Sequence, residues 1–457
     1  MRASADIQEE APSDGPNPAR GESGRGASPR SVVLSSVVGT TIEWYDFFLY
    51  STAASTVFGK LYFPSENHFV GTILAFATFF VGFASRPLGG LLFGHIGDRI
   101  GRKRTLITTM VIMGAATAAM GLLPTYAQIG AWAPLLLVLL RAVQGIAVGG
   151  EWAGAVLMAV EYSAPNRRAR CGAWPQLGLA IGLGLGTGLF ALLGAVLDEQ
   201  QFLGFGWRAA FGASIALVLV GVVIRLRVSE TPAFQRMRAS EGAARVPFTT
   251  LFRDAASRRN IVLGLLSRWS EGAAFNTWGV FFLSYATGEL GIARDRALLS
   301  VMLASFVLAA LIPAVGRLAD SRSPRRLYAL GSVLFAASVY PAFLAFETRD
   351  PLVCALVLVL VLGIVHAVIY APQGTLYAQL SPVRSRYTGM SFVYQFSGIY
   401  ASGITPLIVT GLLAAGGGTP WLACGYLVIT GLIGAVAALA LRERDLFFAV
   451  PARAGRG

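Results

Sequence analysis

The chain has 457 residues, 55% of them hydrophobic and 13% charged, and a water-soluble domain carries roughly twice that charge. No nucleotide-binding loop, metal-ligand cluster or nucleophile motif accompanies the apolar stretches, which argues against an enzyme, soluble or membrane-embedded. The formal net charge of +13 invites a nucleic-acid partner, but the basic residues are spread between apolar runs rather than gathered into one patch.

Residues 1–30 are rich in Ala, Gly, Pro, Ser and charge and lack an apolar core, so they read as a disordered tail and not a signal peptide. Runs of about 20 apolar residues are long enough to cross a bilayer as helices. Such runs follow near 31–58, 69–94, 105–124, 132–160, 171–196, 208–224, 260–286, 297–316, 327–346, 351–374, 386–411 and 420–441. Gly and Pro recur inside them, as membrane helices allow, whereas a membrane barrel would show short alternating segments. The longest polar interval, 225–259, splits the runs into two sets of six, at 31–224 and 260–441, and a second tail follows at 442–457. The expected fold is an all-α membrane protein of twelve transmembrane helices in two six-helix pseudo-repeats.

The basic residues orient these helices. With the first residues placed in the cytoplasm, most of the 37 Lys and Arg fall in the tails and in the loops on that side. Only Lys60, Arg208, Arg294, Arg296 and Arg349 fall on the other side, and Arg86, Arg141 and Arg268 lie within apolar runs. This is the positive-inside pattern, and it puts both chain ends in the cytoplasm. Cys171, Cys354 and Cys424 sit within or beside apolar runs and imply no disulfide framework.

A loop is repeated at the same point in each half. After the second run comes Gly94-His95-Ile96-Gly97-Asp98-Arg99-Ile100-Gly101-Arg102-Lys103-Arg104; after the eighth comes Gly316-Arg317-Leu318-Ala319-Asp320-Ser321-Arg322-Ser323-Pro324-Arg325-Arg326. Gly, Asp and the basic cluster align, while Ser323 and Pro324 depart from the first copy. The first copy resembles the cytoplasmic loop motif of the major facilitator superfamily, with Gly94, Asp98, Arg99, Gly101, Arg102, Lys103 and Arg104 as its gate-loop residues. A tight turn needs the Gly, the Asp can face a neighbouring helix N-terminus or a buried Arg, and the basic residues suit an anionic lipid surface. The alternative is a plain positive-inside loop.

Further segments resemble the metabolite:proton symporter family within that superfamily. They are Gly39–Tyr50, Phe83–Gly90, Arg141–Trp152, Pro175–Gly178 and Arg268–Glu271, and the resemblance runs over roughly 31–441. Known members carry shikimate, α-ketoglutarate, citrate, or proline and glycine betaine. The stretches Ile129–Pro134 and Asp198–Leu203 look most like the shikimate permeases. The resemblance implies the major facilitator fold in a bacterial plasma (inner) membrane and a protein that works as a monomer. It implies proton-driven uptake of a small organic acid through alternating access, without a cofactor, metal or nucleic-acid partner. Symport of a zwitterionic osmolyte such as proline or betaine is the alternative. The drug-exporter pattern in the fifth helix is absent, since Pro175 is followed by Gln176-Leu177-Gly178. A coiled coil of the osmosensing kind is not expected, because about sixteen residues without heptads follow the last run.

Charges inside a membrane cost at least a few kcal/mol each, so each demands a reason. Glu43 and Asp46 lie three apart on one helix. Two such carboxylates do not both ionise readily in low dielectric, which suits a proton carrier; pairing with Arg86 or Arg141 to clamp helices is the other reading. Arg141, Gln144 and Glu151 form a polar stripe in the fourth run. Arg141 falls near the midplane, where transporter sites are built, and a guanidinium can hold a carboxylate through two parallel hydrogen bonds. An ion pair with Glu151 is the structural alternative. The candidate proton-coupling residues are Glu43, Asp46 and Glu151; the candidate substrate residues are Arg86, Arg141, Gln144, Arg268, Glu271, Tyr50, Gln176 and Gln395. Arg268 and Glu271 either compensate each other or line the cavity. His366 reads as a buried hydrogen-bonding residue or as a group that titrates near neutrality. The Gly run 178, 182, 184, 186 and 188 predicts close helix contact.

Overall fold

The computed structural model describes residues 29–65, 68–100, 102–149, 151–161, 163–227, 251–252, 255–382 and 385–447. The tail expected over 1–30, most of the linker expected at 225–259 and most of the tail at 442–457 therefore lie outside the described residues. Of the first loop copy only backbone is described, and that without Gly101, so the roles expected of its side chains fall outside as well.

The described chain forms twelve rods. These are α1 (29–61), α2 (His68–Ile100), α3 (Arg102–Leu122), α4 (Trp132–Glu161), α5 (Pro165–Val196) and α6 (199–227) in one half. The other half holds α7 (255–288), α8 (Arg294–Ser321), α9 (Pro324–Phe346), α10 (Pro351–Ala378), α11 (Arg386–Ala415) and α12 (Trp421–Ala440). Nine of them are long and apolar enough to cross a membrane on composition alone. The other three are α1, α3 and α7. The first and last carry charges at their centres, and the apolar part of α3, Ile107–Leu122, is shortened by its basic first turn. Leu91, Leu192, Leu344, Leu352 and Val436 point outward and are exposed, as expected where hydrocarbon and not water surrounds the bundle.

Small residues set how closely the rods approach. A Cβ on Gly145 of α4 would lie 2.2 Å from the Gly82 carbonyl oxygen of α2, and one on Gly89 would lie 1.9 Å from that of Ile146. Helices α2 and α4 thus touch backbone to backbone, which brings Arg86 and Arg141 to the same region. The Gly run of α5 serves two neighbours. Gly178 and Gly182 seat Thr40 and Trp44 of α1, whereas Gly184 and Gly188 seat Ser305 and Met302 of α8.

Contacts between the halves run along two seams, α2 against α11 and α5 against α8. At the end carrying the basic loops, Asp320 Oδ1 accepts from the backbone N–H groups of Ala169 and Arg170, each at 3.0 Å, and Oδ2 lies 3.5 Å from Arg170 Nε. The aspartate of the second loop copy therefore caps the first turns of α5 in the opposite half. Arg386 of α11 and Glu161 of α4 pair at 3.0 Å across the same end.

Candidate functional site

The charged side chains converge at the centre. In the first half, Arg141 is fully buried, with its guanidinium 4.0 Å from the centre of the Tyr50 ring and 4.4 Å from that of Phe47. Arg86 approaches the same Phe47 at 4.5 Å and Phe83 at 4.3 Å, so one phenyl ring receives two cations. Arg86 and Arg141 each keep buried Nε and Nη2 groups without a hydrogen-bond partner. Desolvated donors of this kind are costly unless a ligand completes them.

A hydrogen-bond chain joins Arg141 to a carboxylate. Its Nη1 donates to Gln144 Oε1, Gln144 Nε2 donates to Thr117 Oγ1 at 2.8 Å, and Thr117 Oγ1 lies 3.3 Å from Asp46 Oδ2. Ser214 of α6 donates to the other Asp46 oxygen. Glu43 instead lies in Coulombic reach of Arg86. The two carboxylates expected to share a helix face thus take different partners, Asp46 toward α3 and α6 and Glu43 toward α2.

In the second half, Arg268 and Glu271 form an ion pair within α7. Gln373 Nε2 donates to Glu271 Oε2 at 3.3 Å, and His366 Nε2 lies 3.6 Å from Oε1. Arg268 covers the Tyr394 ring at 4.7 Å, and Tyr394 stacks on Trp152 of the first half at 3.7 Å. Gln176 accepts from Trp152 Nε1 at 2.9 Å and donates to the Tyr370 carbonyl at 3.2 Å; Gln395 donates to the Gly149 carbonyl at 2.7 Å. These two glutamines, singled out as substrate residues, span between the halves here. Glu151 is buried and opens the segment Glu151–Glu161 of α4.

Between these groups lies a void of about 10 Å³ whose walls include Trp44, Phe47, Phe83, Arg268, Glu271 and Asn276. That is room for about one water, so the centre is occluded. A larger vestibule of about 570 Å³ opens at the end away from the basic loops, lined by Ser55, Thr56, Thr72, Lys60, Glu199 and Arg294. There Glu199 pairs with Lys60 at 3.2 Å and with Arg294 of the other half at 2.8 Å. Ser55, between vestibule and void along α1, donates to the Val280 carbonyl of α7 at 3.1 Å. A central occluded site, buried arginines with unpartnered donors and a vestibule at one end are the parts of a carrier that opens to one side at a time.

The family model described as "Sugar (and other) transporter" matches residues 32–307, and that described as "Major Facilitator Superfamily" matches 265–451. The chain belongs to the major facilitator superfamily. It is 36% identical to the shikimate transporter of Escherichia coli (strain K12), over 91% of this chain and 94% of that one. It is 31% identical to the proline/betaine transporter of Salmonella typhimurium, over 93% of this chain and 86% of the relative. In fold it resembles the proton:xylose symporter XylE of E. coli bound to 6-bromo-6-deoxy-D-glucose. That match has a TM-score of 0.71 at 17% identity and covers 90% of this chain and 94% of that one. These sequence relatives are the permeases that the helix motifs resemble, and this major facilitator protein is an integral membrane transporter and not an enzyme.

Arg86 and Arg141 meet over Phe47, Tyr50 and Gln144 contact Arg141, and Arg268 and Glu271 line the void whose walls include Phe47. Sequence reasoning missed Thr117, Ser214 and Phe47. Nothing in a single sequence separates these from the many other hydroxyl and phenyl side chains on apolar helices.

Proposed function

We propose that the transporter is a proton-coupled symporter that imports a small organic acid, such as shikimate or a dicarboxylate, by alternating access. The observation carrying this reading is the pair Arg86 and Arg141, buried with unpartnered donors and tied through Gln144 and Thr117 to the carboxylate of Asp46. A guanidinium with two free N–H groups matches a carboxylate. Proton arrival at Asp46 would be felt at Arg141 through three hydrogen bonds, which is the coupling that symport needs. Glu43, beside Arg86, and Glu151 are the other candidate proton carriers. The basic loops argue for a bacterial inner-membrane location with both chain ends in the cytoplasm, so the vestibule faces outward. The two halves, 31–224 and 260–441, act as the rocking bodies joined by the 225–259 linker, with Gly94 to Arg104 as the cytoplasmic gate loop. The carrier is taken to work as a monomer.

A zwitterion such as proline or betaine is the second reading, favoured by the proline/betaine relative and by the Trp44, Trp152 and Tyr394 rings that suit an ammonium group. Two buried arginines with unpartnered donors favour the anion. Proteoliposomes under an imposed pH gradient test both readings. Labelled shikimate or a dicarboxylate should accumulate when the outside is acidic and stop with a protonophore. Uptake that requires sodium and ignores the pH gradient would sink proton coupling, and accumulation of betaine alone would sink the organic-acid reading.

A further inference from the structure

The three central arginines are held in two different ways. All three rest on aromatic rings and keep N–H groups without a hydrogen-bond partner, and Arg86 has the Glu43 carboxylate in Coulombic reach. Arg268 instead comes with a carboxylate of its own, Glu271, one helical turn along α7 and also on the wall of the central void. A substrate carboxylate that reaches Arg268 would place two anions on one buried guanidinium, which low dielectric forbids unless one of them is neutralised. The surroundings of Glu271 suit that neutralisation. His366 Nε2 stands 3.6 Å from Glu271 Oε1, and both nitrogens of this fully buried imidazole lack a hydrogen-bond partner. A neutral imidazole offers one lone pair, so a protonated Glu271 would have an acceptor for its O–H there. Gln373 Nε2 would keep donating to the other oxygen. The remaining charged or titratable groups facing Glu271 are Arg268 on its own helix, Tyr328 of α9, Tyr370 of α10 and Tyr394 of α11.

We infer that Glu271 is an internal stand-in for the substrate carboxylate on Arg268, and that its release by protonation is what lets the substrate engage the second half of the carrier. The step balances. One aqueous proton from the outer side adds to the Glu271 carboxylate, the O–H turns to His366, and Arg268 stays cationic and takes the substrate carboxylate in place of Glu271. One anion leaves the guanidinium as another arrives, so the site gains one substrate and one proton with no change in charge. This inference rests on the proton-coupled organic-acid reading and adds to it a second protonation site, distinct from Asp46.

Ligand-induced proton uptake by the purified full chain tests it. Shikimate, α-ketoglutarate and citrate serve as probes, with a pH indicator in weakly buffered detergent solution. Wild type should take up a proton as the acid binds, and its affinity should fall about tenfold per pH unit on the alkaline side. Glu271→Gln, which mimics the protonated acid, should still bind and exchange the probe, with that proton uptake gone, a shallower pH slope and weaker accumulation under a pH gradient. Asp46→Asn should leave the proton taken up at Glu271 in place. If Glu271→Gln does not fold, judged by its melting curve, His366→Leu carries the test: it should bind the acid more weakly and with a shallower pH slope. Unchanged proton uptake in Glu271→Gln, or in the folded His366→Leu an unchanged slope, overturns the inference while leaving organic-acid symport standing. A wild-type chain that neither binds nor accumulates any of these acids removes the parent reading and this inference with it.

Discussion

The glycine contact between α2 and α4 allows the position of Arg141 to be perturbed separately from the packing that holds it. A Cβ added at Gly82 would lie 2.4 Å from Arg141 Nε, the side chain of the neighbouring helix. A Cβ added at Gly145, across the same contact, would lie 2.2 Å from the Gly82 carbonyl oxygen and 3.0 Å from its carbonyl carbon, which are backbone. Carbon contacts relax near 3.5 Å, so each substitution demands a displacement of about 1 Å. In Gly82→Ala the guanidinium can give way by turning about its own side-chain bonds, which carries its donors about 1 Å from where a substrate carboxylate would meet them and forfeits about 2 kcal/mol of charge-assisted hydrogen bonding to the substrate. That corresponds to a loss of substrate affinity of about thirtyfold with a small effect on melting. In Gly145→Ala the helices must part, at about 1–3 kcal/mol of overpacking, and the melting temperature falls by several degrees. Gly411→Ala on α11, where a Cβ would meet nothing within 4 Å, is the control and should change neither. Fluorimetric melting and substrate-induced thermal shifts on the purified variants read both quantities. Equal losses of stability and affinity in the two variants, or no change in either, would refute the separation of roles.

Three further outcomes follow from the hydrogen-bond and ion-pair geometry. Thr117→Val removes the hydroxyl between Gln144 and Asp46, so pH-driven accumulation should fall about three- to tenfold while substrate exchange without a pH gradient persists. Asp320→Ala strips the cap from two N–H groups of α5 and its contact with Arg170. The nearby half-buried Cys171 should then react about tenfold faster with N-ethylmaleimide, and the buried Cys354 and Cys424 should not change. Glu199→Gln leaves Lys60 and Arg294 at the vestibule without their counter-charge. An anionic methanethiosulfonate should therefore modify a Thr56→Cys reporter several-fold faster than in the Glu199 parent and a cationic one more slowly, with the contrast fading at high salt.

The long apolar runs were legible because hydropathy over twenty residues does not depend on knowing the neighbours. The polar charges on α1, α4 and α7 were legible for the same reason, since each stands out against an apolar background. Their partners were not. Glu43 and Asp46 lie three residues apart, about 60° around a helix, and in a six-helix half that angle suffices to aim them at different rods. Thr117 and Ser214 carry no signal, because Ser and Thr on apolar helices ordinarily bond to their own backbone carbonyl one turn back, as Thr117 also does to Met113. Phe47 is one of 28 phenylalanines, and only packing reveals that two guanidinium groups share its ring. The Gly run of α5 gave the close approach, but its division between α1 and α8 depends on which side each rod takes.

The ion pair on Arg268 also orders the events of the proposed cycle. A ring stabilises a buried cation without occupying its N–H donors, so an anion can join Arg86 or Arg141 with no group displaced. Glu271 does pair with Arg268, and it neutralises that guanidinium until something replaces it. An incoming carboxylate would therefore meet the first half before the second. On the proposed release of Glu271, the second half would engage only after a proton has arrived. Leak of protons without substrate is opposed by the same arrangement, because protonating Glu271 alone strands Arg268 without an anion.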